Sequence, residues 1–287
     1  MLTVACASGK GGTGKTTVAT NLAMEMAREN KGKIQLLDCD VENPNSHLFL
    51  KMDPVPEERV EVLIPEIDEI HCSRCGRCVQ ACNFSALSLL GEHLLVFPEL
   101  CHSCGFCSYI CPEAAISEVG RAVGLIRRGT AGTLDFVGGE LNPGEAIAVP
   151  VIDAVRKRAS NGSLVIIDAP PGTSCPTVAS VQGADFCVLV TEPTPFGLSD
   201  LKMAVGMCDK LQVPVGVIIN QCDLGDKGVE EYCHSRKLPI LAQLPWDRQL
   251  ASIYARGGLI CEHSGAWSER FLEIGRMLKT SAGRGSG

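Results

Sequence analysis

Cysteines stand at 72, 75, 78 and 82 and again at 101, 104, 107 and 111, in the runs HCSRCGRCVQAC and LCHSCGFCSYIC. A thiolate every third residue lets one loop wrap three corners of a four-iron, four-sulfur cube, while the fourth cysteine of such a run ordinarily ligates the neighbouring cube. The spacing therefore predicts two [4Fe-4S] clusters with crossed ligands. Cys72, Cys75, Cys78 and Cys111 would hold the first, and Cys101, Cys104, Cys107 and Cys82 the second. Pro112 follows the last cysteine of the second run, whereas Asn83 follows that of the first. Zinc competes for Cys-x-x-Cys pairs, but two four-cysteine runs of one spacing suit paired cubes better than tetrahedral sites. His71 and His102 abut the ligands without being needed to complete either set.

A second chemistry begins at Gly9. SGKGGTGKTT, residues 8–17, satisfies Gly-x-x-x-x-Gly-Lys-Thr between a strand-like run and the helix-like VATNLAMEMAREN. Glycines let backbone amides wrap a phosphate chain, and the following helix adds partial positive charge at its start. Lys15 would reach the outer phosphates and Thr16 would ligate Mg2+. The expected nucleotide contacts are Gly9, Gly11, Gly12, Thr13, Gly14, Lys15, Thr16 and Thr17.

Lys10 adds specificity. With KGGTGKTT the chain resembles the MinD/ParA-type ATPases with a deviant Walker sequence, a family that includes the nitrogenase iron protein and the Mrp-type cluster carriers. The resemblance implies that Lys10 crosses a dimer interface to the partner's nucleotide, in a homodimer or a heterodimer with a paralogue. An exposed lysine that only solvates the loop is the plainer alternative. In IQLLDCDVENPNSHLFL the resemblance gives Asp40 the attacking water and Asp38 the magnesium shell, although a loop-capping role also suits Asp38. In LVIIDAPPGTS, Asp168 closes an apolar strand as the magnesium-side acid, and Pro170, Pro171 and Gly172 form a stiff turn suited to reporting the γ-phosphate. Asn220, Pro245 and Asp247 match positions where relatives hold adenine, though an Asn after a strand is also an ordinary turn former. Lys10, Lys15, Asp38, Asp40 and Asp168 are thus the expected catalytic set.

Apolar strand-like runs must position these groups. They fall at Leu2 to Ala7, Ile34 to Leu37, Leu164 to Ile167, Phe186 to Thr191, Val215 to Ile219 and Ile240 to Leu244, alternating with segments of helical period. Alternation of this kind predicts an α/β fold, a mainly parallel sheet with helices on both faces. PVPEERVEVLIPEIDEI reads as a connector into an inserted module. AVGLIRR and TLDFVGG read as a hairpin leading back to a helix at Ala146 to Ala159. The expected division is an ATPase domain of residues 1–58 and 119–287, with a small α+β ferredoxin-like domain inserted at 59–118.

The chain has 287 residues, 45% apolar and 21% charged, enough for a full core. A net charge of −7 argues against a nucleic-acid footprint. No apolar run approaches the roughly 20 residues of a membrane span, and the opening MLTVACASGK lacks a secretory pattern. A cytoplasmic protein is expected, in a reducing compartment, with the eight cysteines outside the two runs serving structural roles. The last helix places Phe271, Ile274 and Leu278 on one face, which suits packing onto the domain better than membrane association.

Three functions follow from the resemblance and the cysteines. The leading one is a slow, partner-stimulated ATPase, using ATP and Mg2+, in which nucleotide-driven dimerisation is coupled to electron transfer through two [4Fe-4S] clusters to a redox partner protein. The second is an iron-sulfur or metal-cluster carrier, against which stands the lack of any Cys-x-x-Cys pair after Cys111. The third is a redox-sensing, MinD-like positioning ATPase.

Overall fold

The computed structural model describes residues 1–29, 33–50, 52, 58–161 and 164–282. Its strands are β1 (Leu2–Ala7), β2 (Ile34–Asp38), β3 (Glu58–Ile67), β4 (Leu87–Leu90), β5 (His93–Val96), β6 (Ile116–Ala131), β7 (Leu134–Leu141), β8 (Leu164–Asp168), β9 (Phe186–Thr191), β10 (Val215–Asn220) and β11 (Ile240–Leu244). Nine of them form one sheet in the order β11-β10-β9-β1-β8-β2-β7-β6-β3. The pairs from β11 to β7 are parallel, and β7–β6 and β6–β3 are antiparallel. The fold is thus α/β with a mostly parallel central sheet.

The inner strands β1, β2, β8 and β9 are apolar along most of their length because helices cover both faces. One face packs Val4, Ile166 and Val188 against Leu22 and Met26 of the helix Lys15–Glu29, and then against Phe271, Ile274 and Leu278 of the helix Gly265–Ala282. The apolar stripe of the last helix is therefore buried in the domain, each of those three side chains being about 1% exposed. The other face packs Leu37, Val165 and Leu189 against the helices Val149–Arg156 and Pro195–Leu211. No helix among the described residues is long and apolar enough to cross a membrane.

The expected strands stand where the apolar runs place them, within one residue at their ends. The helix expected at Ala146 to Ala159 is shorter, Val149–Arg156, starting with Pro150 in its first turn. The supposed connector is a correction. Glu58–Ile67 is β3, the outermost strand of the main sheet, paired along its length with β6. Pro65 is tolerated there because an edge strand has one side free of partners. The N-terminal part of the proline-rich run, residues 54–57, lies outside the described residues.

The register of β6 places the cysteine runs. Its C-terminal half, Gly124 to Ala131, pairs with β7, while Ile116 to Ile126 pairs with β3. Gly124 faces Leu141, the last residue of β7, so the N-terminal part of β6 continues past the carboxyl end of the parallel strands. A two-stranded ribbon of β3 and β6 thus projects from the sheet edge that carries Asp38 and Asp168, and residues 68–115 hang from its tip. Asp68 N–H donates to Ala115 O at 2.9 Å and closes the base of that module.

Candidate functional site

The loop after β1 and the first turn of Lys15–Glu29 form the floor of a cleft at the carboxyl edge. Gly12 and Gly14 sit at φ +83° and +90°, which lets the backbone turn its amides inward. Gly172 N–H donates to Ser8 O at 2.9 Å, tying the turn after β8 to this loop. Thr13 Oγ1 is buried without a hydrogen-bond partner among the described residues, a polar atom left over inside a phosphate-type loop. Ser8, Gly11, Gly12, Gly14, Thr16 and Thr17 line the cleft.

Lys15 is about 6% exposed and its ammonium lies 2.6 Å from Asp168 Oδ1 and 4.0 Å from Asp40 Oδ2. Burial works against the Lys15 charge, but Asp168, Asp40 and Asp38 hold its pKa above the ordinary lysine value. The second Asp168 oxygen accepts the Ser46 hydroxyl at 2.9 Å, and Ser46 N–H donates to Asp38 Oδ2 at 3.0 Å. Asp40 N–H donates to Asp38 Oδ1 at 3.1 Å. Both Asp38 oxygens are thus engaged by backbone amides, and Asp38 does not line the cleft, whereas Asp40 does. Burial, followed by the Asp168 charge, pushes the Asp38 carboxyl up to about 7. Burial likewise raises Asp40 to about 6, against the pull of Lys15. Three acids around one lysine leave excess negative charge in a buried place, which suits a divalent cation.

The same excess sets a pH dependence. An acid whose pKa is higher folded than unfolded binds protons in the fold that the unfolded chain has released, so stability falls as pH rises between the two values. For Asp38 and Asp40 the window runs from about 3.8 to about 7 and about 6 respectively. Thermal melts without nucleotide or metal should therefore show Asp38→Asn gaining on the parent as pH rises through this window. A gap that is constant with pH would contradict the assignment.

Lys10 is about one-third exposed and its ammonium is 3.0 Å from Glu192 Oε2 at the end of β9. Within one chain it is held by that carboxylate and does not line the cleft. At the far end of the cleft, the Asn220 amide donates to Thr13 O at 2.9 Å, so it braces the phosphate loop. Pro245 and Asp247 line the cleft, and Asp247 also caps the helix Arg248–Ala255 by accepting Gln249 N–H at 2.7 Å. Trp246, inside the PWD tripeptide of the sequence reading, lines it too, as do Gln221, Tyr254 and Asn45, which that reading did not name. For Tyr254 the available signal was an aromatic residue in the helix that follows PWD.

In the module, Cys72, Cys75, Cys78 and Cys111 wall one cavity, and Cys82, Cys101, Cys104 and Cys107 wall a second. These are the two crossed sets. Among the described residues no three His, Cys, Asp or Glu side chains are grouped as a single metal ion would require. The two halves repeat each other. Helix Arg77–Ala81 follows Gly76 at φ +74°, and helix Phe106–Ile110 follows Gly105 at φ +69°. Ala86 N–H donates to Cys82 Sγ and Ala115 N–H to Cys111 Sγ, each at 3.4 Å, and Ser103 N–H donates to Cys101 Sγ at 3.5 Å. Amides aimed at sulfur stabilise thiolate, the form that binds iron. Donor set, cavity walls and amide donors fit two four-cysteine sites. Cys6, Cys39, Cys187, Cys208, Cys233 and Cys261 are buried as expected of core cysteines, Cys222 is half-buried and Cys175 is exposed.

A backbone path runs from the segment after Asp40 to the root of the β3–β6 ribbon. Leu141 N–H donates to Val41 O at 2.8 Å, next to Asp40. Asn142 N–H donates to Val123 O at 2.9 Å and its amide to Ala122 O at 3.0 Å, where β6 leaves the sheet. Arg121, two residues nearer the module, is clamped to Glu145 at 2.9 Å.

The chain is similar to an uncharacterised protein of Methanocaldococcus jannaschii, 31% identical over 97% of both chains. It is similar to the cytosolic Fe-S cluster assembly factor NUBP1 homolog of Brugia malayi, 24% identical over 94% of this chain and 79% of that one. Among solved structures, the septum site-determining protein MinD from Pyrococcus horikoshii, complexed with Mg-ADP, superposes with a TM-score of 0.63 at 17% identity, over 98% of this chain and 97% of that one. Residues 4–260 match the family model of the CobQ/CobB/MinD/ParA nucleotide binding domain, and the chain belongs to that family.

Proposed function

We propose that this chain is an ATPase whose nucleotide state governs an iron–sulfur module, and that its task is nucleotide-timed electron exchange with a partner protein. The observation that carries the reading is the hydrogen-bonded path from Asp40 through Val41, Leu141 and Asn142 to the root of the β3–β6 ribbon. A change at the outer phosphate is then felt where the module is attached. Lys15 and the loop amides would bind the phosphates, Thr16 and Asp168 would hold Mg2+, and Asp40 would orient the attacking water. Asp38, both of whose oxygens receive amides, would hold the segment 40–46 in place. Bound [4Fe-4S] groups would supply one-electron transfer. The chain's own part is to hold them with eight thiolates and to fix the module against the nucleotide edge.

Lys10 is the residue proposed to act in trans, released from Glu192 when a second chain brings phosphate to it. Light scattering with a non-hydrolysable ATP analogue should give a dimer for the parent and a monomer for Lys10→Ala. Glu192→Gln should dimerise at lower protein concentration. A Lys10→Ala protein that dimerises as the parent does would remove the trans role.

A second reading, iron–sulfur carriage, is favoured by the assembly factor among the relatives. Four thiolates on each site close its coordination, which suits fixed groups better than cargo. Transfer of iron to an apo-acceptor on addition of ATP would establish carriage. Retention of all iron through turnover supports the fixed reading. The third reading, a positioning switch, rests on the likeness to MinD proteins in fold and sequence.

A further inference from the structure

The two halves of the cysteine module match in their backbone but differ at their rims. Arg74 and Arg77 are the only lysine or arginine residues between positions 68 and 115, and both line the cavity walled by Cys72, Cys75, Cys78 and Cys111. The matching positions in the other half are Ser103 and Phe106, at a cavity also lined by Phe84 and His102. There Phe84 stacks on His102 with ring centroids 3.8 Å apart, and no cationic side chain of the Lys or Arg type lines the wall.

Arg74, Cys75 and Arg77 are all exposed, and neither arginine is paired with a carboxylate among the described residues. The surrounding chain is acidic, with a net charge of −7, and the module itself holds Asp68, Glu69, Glu92, Glu99 and Glu113. Glu113 lines the same cavity, so two guanidinium groups against one carboxylate leave a net positive spot around Cys75, the most accessible thiol of the first site. Guanidinium forks bind carboxylates in two-pronged geometry and so fix orientation as well as attract. Opposite charge on the approaching surface raises the encounter rate and sets register.

We propose that the Arg74–Cys75–Arg77 corner is the port through which the module exchanges electrons with an acidic redox protein, carboxylates of the partner docking on the two arginines. The inference rests on the proposed iron–sulfur reading of the module. In the forward direction one electron leaves the reduced first site and the partner's centre gains it. No covalent bond forms or breaks.

The test uses the full chain with both sites loaded, its iron content measured first. The reduced protein is mixed in stopped flow with an acidic acceptor, rubredoxin, and with a basic one, cytochrome c. Arg74→Gln/Arg77→Gln should slow transfer to rubredoxin roughly tenfold at low ionic strength and remove its salt dependence. Transfer to cytochrome c should be unchanged or faster. Arg74→Lys/Arg77→Lys, which keeps the charge, should retain most of the rubredoxin rate. An unchanged rubredoxin rate in the Gln variant, or equal losses with both acceptors, would overturn the port. Absence of iron from the parent protein would instead overturn the cluster reading, so the two failures are distinguishable.

Discussion

Lys15→Ala is expected to abolish ATP hydrolysis and to destabilise the nucleotide-free protein by about 3–5 kcal/mol at pH 8. The ammonium is the cation that three buried acids share, with Asp168 at 2.6 Å and Asp40 at 4.0 Å. Removing one partner of a buried pair leaves the other charge without solvent or counter-ion, which costs more than the pair itself contributes. The penalty should shrink on acidification. Asp38 and Asp40 have carboxyls raised to about 7 and about 6, so below pH 6 both take up protons and the excess negative charge that Lys15 balanced is reduced. Urea unfolding of parent and variant at pH 8 and pH 5.5 measures both effects. Lys15→Met keeps the buried stem and should recover part of the stability with none of the hydrolysis. A Lys15→Ala protein as stable as the parent at both pH values would show that the acids are balanced by something else.

Cys111→Ser is expected to damage the iron site of the first cysteine run, although it belongs to the second. Cys111 walls the cavity of Cys72, Cys75 and Cys78, and Cys82 walls that of Cys101, Cys104 and Cys107. A full complement is about eight irons per chain, and loss of one cube leaves about four. Low-temperature electron paramagnetic resonance of the reduced variants gives the decisive pattern. Cys111→Ser and Cys72→Ser should leave the same residual signal, and Cys82→Ser and Cys104→Ser should leave the other. Pairing of Cys111→Ser with Cys104→Ser would mean that each run closes its own site. Equal loss of both sites in every variant would mean that the halves fold only together.

Much of this was legible in the chain because it is local. Apolar runs gave all the parallel strands but β7, since buried strands read as continuous apolar segments. The phosphate loop and the cysteine spacing are likewise written in consecutive residues. β3 was hidden for a physical reason. Val60, Val62 and Ile64 do alternate, but Leu63 interrupts the polar face, Arg59, Glu61 and Pro65 resemble a linker, and only an edge position reconciles proline with a strand. The contacts that define the site were hidden because their partners are far apart in sequence. Ser46 on Asp168, Lys10 on Glu192 and Leu141 on Val41 are each brought together by sheet order. Asn220 lines the cleft, and its bond to Thr13 O, across 207 residues, is likewise set by the fold.

The division into residues 1–58 with 119–287 and an insert at 59–118 marks where the cysteine chemistry sits, but the sheet runs through both boundaries. β3 and β6 are shared, belonging to the main sheet along one stretch and carrying the module at their ends. That sharing gives the path from Asp40 its mechanical meaning, because a strand that is hydrogen-bonded in the sheet cannot tilt without moving what hangs from it. Coupling also requires that ATP favour one arrangement over another by differential binding.

The most direct test of the central claim is the rate at which the reduced, iron-loaded protein gives electrons to an external acceptor, measured in stopped flow with Mg-ATP, with Mg-ADP and without nucleotide, in the parent and in Lys15→Met. The account predicts a rate in Mg-ATP that differs several-fold from the other two conditions in the parent, and one common rate in Lys15→Met. Identical rates in the parent under all three conditions, at nucleotide concentrations shown to saturate binding, would contradict it.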